Sequence, residues 1–431
     1  MRKTPSRPPA LLIFGDLFVA ARQGQLFEEA RRRGLASVLV VTQDTEGALL
    51  DRFREDPENP LSNIQEVIEV PDVHPDKVLP GVQDALLRFD VQGVLNIGEY
   101  FVEATGILAS CLGVPGPGSK ASRVCRNKLL QRYTIPDLAP KWRVVTPDRR
   151  TEFDAASLRF PVVVKPIARN YSKGVQKISD AAALTSALIE YPYGETVLVE
   201  ELAVGPEFSV EAITQAGRVL WTGVTAKQSN ERRTVYFTEL EHTSPANLPD
   251  DMQKELEEAN THALQQLDFC DGITHAEYRL TSEGPVLMEI AARRPGDEIT
   301  LLWELSTSKP MEPVMVDLAL GVSTTYPQPT RRARHYYLNH GHGQLIDVKS
   351  VDVPVYWVVE DYRWPDVSSV SSDFPGRHCA ALVHRQHGDI LGELRDSSQR
   401  SVSVIVDAPL TTDIETVTSR CANTVHIEIQ S

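Results

Sequence analysis

The chain has 431 residues, 42% hydrophobic and 24% charged, which is ordinary for a globular protein and too long for one core, so about three domains are expected. With 59 acidic and 44 basic residues the formal charge is −15, which argues against nucleic acid or an anionic membrane as the main partner. The five cysteines are scattered without a C-x-x-C pair, which suits a reducing cytoplasm and no structural zinc.

The first residues are basic and run into the apolar LLIFGDLFVAA, but Asp16 interrupts that run and a helical pattern follows. The segment reads as strand and helix rather than a signal peptide, and no window reaches a membrane-spanning length. Up to about residue 120, the apolar runs Ala10–Phe14, Ser37–Val41, Val67–Val70 and Gly93–Ile97 read as buried strands. Gln25–Arg33 and Val102–Leu112 read as intervening helices. That rhythm predicts a doubly wound parallel sheet. Gly15-Asp16-Leu17 lacks the G-x-G-x-x-G loop that a dinucleotide needs, and Asp44 reads as a turn residue better than as a ribose ligand.

The Gly/Pro/Ser-rich run GVPGPGSKAS (113–122) marks a boundary. A helical piece over Arg123–Tyr133 follows, then strands at Trp142–Val145, Pro161–Lys165 and Val197–Glu201. Lys165 ends its strand beside the polar loop Ala168–Gly174. It reads either as a phosphate-neutralising ammonium, with Ser172, Lys173 and Gly174 offering donors, or as a plain strand-end lysine. Lys128, taken singly, reads as a helix-surface lysine. Glu200-Glu201-Leu202 closes a strand, and Glu207 follows in a turn. Charged strand ends are common, yet a backbone edge there can read a base and Glu207 can hold hydroxyls. Glu207–Ile213 and Val219–Ala226 continue an antiparallel pattern, and His242 reads equally as a substrate contact or a turn residue. Asp251–Leu267 reads as an amphipathic helix.

The segment THAEYRLTSEGPVLMEIAARRPGDE carries the most chemistry. His275–Leu280 and Val286–Ile290 read as a hairpin, and a turn centred on Glu283 sets Glu277 opposite Glu289. Like charges about 5 Å apart across a ladder destabilise it. A shared divalent cation is the best reason to keep them. Arg293 lies just past the strand end, and two carboxylates for Mg²⁺ with an arginine for an anionic intermediate suggest phosphoryl chemistry. Asp297 reads as a helix cap or as a carboxylate holding a substrate amino group. Beyond residue 330, strands at His335–Leu338, Val353–Glu360, Ala380–His384 and Ser401–Val406 suggest a small α+β module.

Read in order, PGPGSKASRVCRNKLLQRY, FPVVVKPIARNYSKGV, VLVEELAVGPEFSVE, FTELEHTSPANLP and HAEYRL…VLMEIAARRPGDEI resemble the ATP-grasp superfamily over roughly residues 90–325. The EIAAR and EHTSPANL forms look like the L-amino-acid ligase, or dipeptide synthase, branch.

The resemblance implies an α/β and α+β multidomain protein with the ATP-grasp fold. Residues 1–118 form the N-terminal parallel-sheet domain, 119–328 the nucleotide-binding and catalytic domain with a lid at about 140–200, and 329–431 the C-terminal module. It implies that Lys128 and Lys165 meet the ATP phosphates under the flap Ala168–Val175, which includes Ser172 and Gly174. Glu200, Glu201 and Leu202 meet adenine, Glu207 ribose, and Glu277 and Glu289 hold Mg²⁺. Arg293 stabilises the acyl-phosphate and its tetrahedral successor, with Lys165 and His242 also catalytic, while Asp297, Arg294 and Glu99 face substrate. The implied activity joins two amino acids, or an acyl-amino acid and an amino acid, with release of ADP and phosphate, often for small peptide natural products. The implied setting is a cytoplasmic homodimer. The alternative is a biotin-carboxylase-like or purine-pathway ligase using bicarbonate, formate or a ribonucleotide. Two departures stand out: the flap is poor in glycine, with Arg169, Asn170 and Tyr171 in it, and Ala291 replaces the usual asparagine two residues after the second metal glutamate.

Overall fold

A computed structural model describes residues 7–43, 47–57, 59–360, 362 and 364–430; Asp44 lies outside the described residues. The first sheet has strands β1 (Pro9–Phe14), β2 (Ala36–Thr42), β3 (Glu66–Val70) and β4 (Asp90–Asn96) in the order β3-β2-β1-β4, all parallel. Residues Ala10 to Phe14 are fully buried, as a parallel strand covered on both faces requires. One face of this sheet, through Leu11, Ile13, Leu39 and Val41, shares its core with Trp303, Met311 and Met315 of two later helices. The first sheet is thereby fixed to the wall of the site. Helix Val102–Leu112 ends at Gly113, whose φ of +69° is the left-handed cap that glycine adopts without steric cost.

The expected helix over Arg123–Tyr133 is two: Ser119–Val124 and Lys128–Thr134. Asn127 separates them because its side chain accepts from the Leu129 and Leu130 N–H groups and caps the second helix. A small antiparallel sheet follows, β5 (Trp142–Val145), β6 (Val162–Pro166), β7 (Gln176–Ile178) and β8 (Val197–Glu201), in the order β5-β8-β6-β7. With helix Ala181–Glu190 it closes a separate apolar cluster of its own.

The main sheet has nine strands. β9 (Glu207–Gln215), β10 (Arg218–Ser229), β11 (Glu239–Ser244), β12 (Gly272–Thr281) and β13 (Gly284–Ala291) form one half. β14 (Arg331–Tyr337), β16 (Val355–Trp357), β17 (Arg377–Val383) and β19 (Val402–Pro409) form the other, in the order β13-β12-β9-β10-β11-β14-β19-β17-β16. The C-terminal strands therefore continue the same sheet. β15 (Gly343–Ser350), β18 (Ile390–Leu391) and β20 (Val425–Gln430) make a third, small sheet. The run Val353–Glu360, expected as one strand, pairs only over Val355–Trp357 before the chain turns away.

Candidate active site

The hairpin β12–β13 does set Glu277 opposite Glu289, by a different route from the simple count. The turn pairs Thr281 with Gly284, so an unbroken ladder would place Met288 across from Glu277. A bulge between Glu277 and Tyr278 shifts the register by one and brings Glu289 there instead. The bulge also points the Met288 carbonyl out of the ladder, where it accepts from Arg132 at 2.8 Å and from Lys165 Nζ at 3.4 Å. Gln131 seals the next ladder position, donating to the Ile290 carbonyl and accepting from the Ile290 N–H, each at 3.0 Å. Helix Lys128–Thr134 thus covers the edge of the sheet and carries Lys128 to the site.

Lys128 is not the surface lysine it looks like in sequence. It is buried, with Nζ 2.9 Å from Glu289 Oε2 and donating to the Arg169 carbonyl at 2.8 Å. Lys165 is equally buried, 2.6 Å from Glu200, which also binds Arg132. Burial pushes Lys165 down to about 8 despite Glu200, and Arg132 and Lys128 add to the shift. Burial opposes ionisation of Glu200, but Arg132 and Lys165 outweigh it and hold its carboxyl low. Glu201, on the opposite face of β8, turns to Arg159 at 2.9 Å and Lys141 at 3.4 Å. Lys128, Lys165, Glu200 and Glu201, with Leu202, Ser172 and Glu207, line one narrow cleft between the small antiparallel sheet and the main sheet. Glu207 opens β9 rather than a turn, and Arg279 binds it at 2.8 Å. A Cβ at Gly205 would sit 2.0 Å from the Leu280 carbonyl oxygen, so only glycine lets the chain cross there from lid to main sheet. Gly174, at φ +75°, serves the flap in the same way.

A second cavity, of about 680 Å³, opens on the other side of the two glutamates. Arg293 lies in its wall and is not free: it donates to Glu99, which also receives Arg126, and to the Arg294 carbonyl at 2.8 Å. Burial works against both charges, yet the pairing holds Glu99 below its usual range and Arg293 above. Asp297 does not cap the following helix, Ile299–Thr307, whose cap is Glu298. Its backbone is left-handed, at φ +50°, and its carboxylate binds Arg400 from the C-terminal segment. Burial opposes its ionisation, but Arg400 and then His242 keep Asp297 well below the usual carboxylate range. His242 is neither a turn residue nor open to the cavity. It lies in β11 with a fully buried side chain, Nε2 3.2 Å from Glu239 and 3.9 Å from Asp297. There it can orient those two acids, and its ring nitrogen lies within 4.8 Å of a carboxylate oxygen of each.

The flap folds over this cavity. Asn170, Tyr171 and Ser172 line it, and the Tyr171 carbonyl accepts from the Ser397 N–H at 3.1 Å. Tyr171 and Ser172 are both left-handed, at φ +58° and +55°, which costs bulky residues energy and is held by that docking.

Two site groups escaped the sequence reading, Lys227 and Glu239. The Lys227 ammonium is almost fully buried and contacts both Glu239 and Glu277. Burial opposes its charge, but Glu239 and Glu277 raise it well above the usual lysine value. Carboxylate oxygens of Glu207, Glu239 and Glu277 lie within 4.8 Å of one another, a hard-oxygen set that fits a magnesium ion. Glu289, the other expected ligand, stands outside that set, against Lys128. His275 binds Glu211 at 2.8 Å and Glu277 at 3.3 Å, and these acids overcome burial to raise it to about 9. Burial opposes the charge of Glu277, but Lys227 and His275 hold its carboxyl well below the usual range. Cross-strand spacing held the signal: β10 pairs Lys227 with Glu207 on one side and with His242 on the other.

A family model described as an ATP-grasp domain matches residues 158–301. An uncharacterized protein, y4rH, of Sinorhizobium fredii is 27% identical over 244 residues, 54% of this chain and 50% of that protein. The D-alanine--D-alanine ligase of Nocardia farcinica is 28% identical over 216 residues, 46% of this chain and 56% of that protein. The chain thus spans about half the length of these curated relatives. The crystal structure of an L-amino acid ligase from Bacillus licheniformis superposes with a TM-score of 0.75 at 20% identity, covering 99% of this chain and 100% of that one. Residues 158–301 thus match an ATP-grasp domain, and the chain as a whole has the fold of that ligase structure, with the parallel N-terminal sheet and mixed sheets described above. No helix among the described residues is long and apolar enough to cross a membrane.

Proposed function

We propose that the protein is an ATP-dependent carboxylate–amine ligase that joins two amino acids, or an acyl-amino acid and an amino acid, and releases ADP and phosphate. One observation carries this reading. The cleft under the lid and the 680 Å³ cavity share the same residues at their junction: Asn170, Ser172, Glu239, Glu277 and Glu289. A nucleotide in the cleft and a carboxylate in the cavity would meet at the acidic pair.

The residues divide the work. Lys128 and Lys165, both buried, would hold the phosphates, and Glu200 sets Lys165 in place. Glu207, Glu239, Glu277 and the adjoining Glu289 would hold magnesium, which supplies positive charge where two anions must approach. A substrate carboxylate oxygen attacks the γ-phosphorus, the bond to the β-phosphate oxygen breaks, and ADP leaves. The amine nitrogen of the second substrate then attacks the acyl carbon. As the carbon–oxygen bond to phosphate breaks, the nitrogen's proton leaves with the phosphate. Arg293, fixed by Glu99, would stabilise the oxygen on which charge grows. The docked flap keeps water from the acyl-phosphate. Asp297 and Glu239 give the cavity the negative charge that an ammonium group prefers.

The cavity volume supports amino-acid-sized substrates over bicarbonate or formate, which would fill little of it; a ribonucleotide is tested by the choice of co-substrate. The proposed setting, a cytoplasmic enzyme making a small peptide natural product, follows from the resemblance to that branch. The test is ATP and Mg²⁺ with pairs of amino acids, read by product mass and by nucleotide. Phosphate and ADP released only when both partners are present support the reading. AMP and pyrophosphate, or bicarbonate-dependent ADP without amine, refute it.

A further inference from the structure

Among the described residues, five lysine and arginine side chains line the substrate cavity: Arg22, Lys227, Arg293, Arg294 and Arg400. Four have a carboxylate within ion-pair distance. Arg22 has Glu298, Lys227 has Glu239 and Glu277, Arg293 has Glu99, and Arg400 has Asp297. Arg294 has none among the described residues. It donates to Thr300 Oγ1 at 2.7 Å, and its Nε is buried with no hydrogen-bond partner. Burial pushes its pKa down to about 10; Glu312 pulls the other way, and Arg22 and Arg293 deepen the shift.

Its neighbour Arg22 is rigid. The guanidinium is sandwiched between Phe18 and Trp364, 3.8 and 4.3 Å from the ring centroids, and is tied to Glu298 at 3.2 Å. Arg22 and Arg294 therefore border the same cavity, and the second has no carboxylate within ion-pair distance among the described residues. Arg293 turns to Glu99 while Arg294 turns to Thr300, so the two consecutive arginines serve different parts of the cavity.

We propose that Arg294, flanked by Arg22, anchors a second substrate carboxylate, one that is not activated. The inference rests on the ligase reading and adds to it the residue that selects for an unactivated carboxylate on the substrate. A guanidinium with unused donors matches a carboxylate in shape and charge. The acids Glu298, Glu304 and Glu312 also border the cavity, and a phosphate dianion would meet more repulsion from them than a carboxylate does. The carboxylate has two possible sources: the α-carboxylate of the amine substrate, or a side-chain carboxylate.

The experiment compares L-alanine with L-alaninamide and L-aspartate with L-asparagine. Each is tested in turn as the amine substrate and as the activated one, with product formation as readout. Loss of a buried charge partner is worth a preference of about 100-fold in kcat/KM for the carboxylate-bearing member of one pair. An alanine-over-alaninamide preference identifies the α-carboxylate, and an aspartate-over-asparagine preference the side chain. The preference should collapse in Arg294→Gln and return in part in Arg294→Lys, chiefly through KM. Equal use of both members by the wild-type protein overturns the proposal without any variant, as does a preference that survives in Arg294→Gln. O-phosphoserine outperforming aspartate overturns the assignment to a carboxylate. A parallel arm measures binding of the same four compounds with a non-hydrolysable ATP analogue and Mg²⁺. If no pair turns over, the ligase reading fails. The anchor still stands on carboxylate-selective, Arg294-dependent binding, and falls if the four bind alike.

Discussion

The two halves of the nine-stranded sheet use buried charge in opposite ways. In the C-terminal half, Arg331 and Asp407 are both fully buried and 2.9 Å apart. Arg377 adds a second guanidinium at 3.0 Å, and three backbone carbonyls of residues 371–374 accept from Arg331. In the half that carries the candidate site, Lys227, Glu239, Glu277 and Glu289 are also paired, but their carboxylates open on cavities, with side-chain exposures of 13%, 24% and 30% for the three acids. A sealed network serves the fold. A network whose acids look into a cavity can exchange a lysine for another cation, and that is what a phosphoryl site needs.

Several substitutions break or sharpen this contrast. Asp407→Ala strands Arg331 in the core and should cost about 3–5 kcal/mol of unfolding free energy by chemical denaturation. The folded fraction should keep its kcat; loss of turnover with stability intact would reverse the roles assigned to the two halves. Arg293→Ala should lower kcat by about 100- to 1,000-fold, the scale of losing one transition-state donor, and Glu289→Ala, which removes a proposed metal ligand, should lower it too, each with the circular dichroism spectrum unchanged. An active double variant excludes this site.

A smaller effect is expected at the flap. Tyr171→Ala should raise the phosphate released per product formed, because the phenol leaves the cavity and water reaches the intermediate. An unchanged ratio would mean that something else excludes water. Smaller again is the pH dependence of nucleotide binding. Lys165 is pushed down to about 8, so its ammonium, the form that attracts phosphate, is present below pH 8 and lost above it. ATP affinity should be level below pH 8 and weaken above it, by at most about tenfold per pH unit, and Lys165→Arg should flatten the curve. His275 supplies a stability counterpart. Its pKa is raised from 6.5 to about 9, so the stabilisation it gives is complete below pH 6.5 and lost as pH climbs through 9. His275→Gln should remove that slope from a series of denaturation curves; a slope that persists belongs to another group.

Much of this architecture could be read from residues alone where the signal was local. The buried apolar strands of the first sheet announce themselves because parallel strands are apolar on both faces. The acidic pair was legible because a hairpin turn nearly fixes its register, although the bulge at Met288 was needed to complete it. What escaped depends on partners far apart in sequence. Lys128 looks solvent-exposed until Glu289 and the Arg169 carbonyl arrive from other elements. Lys227 lies in a row that runs from Arg279 through Glu207 to His242 and His335, and that row exists only after β12, β9, β10, β11 and β14 have paired. Arg400 reaches Asp297 across 103 positions, beyond any local pattern.

The most direct check of the proposed chemistry follows oxygen. With a substrate carboxylate labelled with oxygen-18 and an amine partner that supports turnover, one labelled oxygen should appear in the inorganic phosphate. Label found in AMP, or none in phosphate while product accumulates, would contradict an acyl-phosphate formed between Glu277, Glu289 and Arg293.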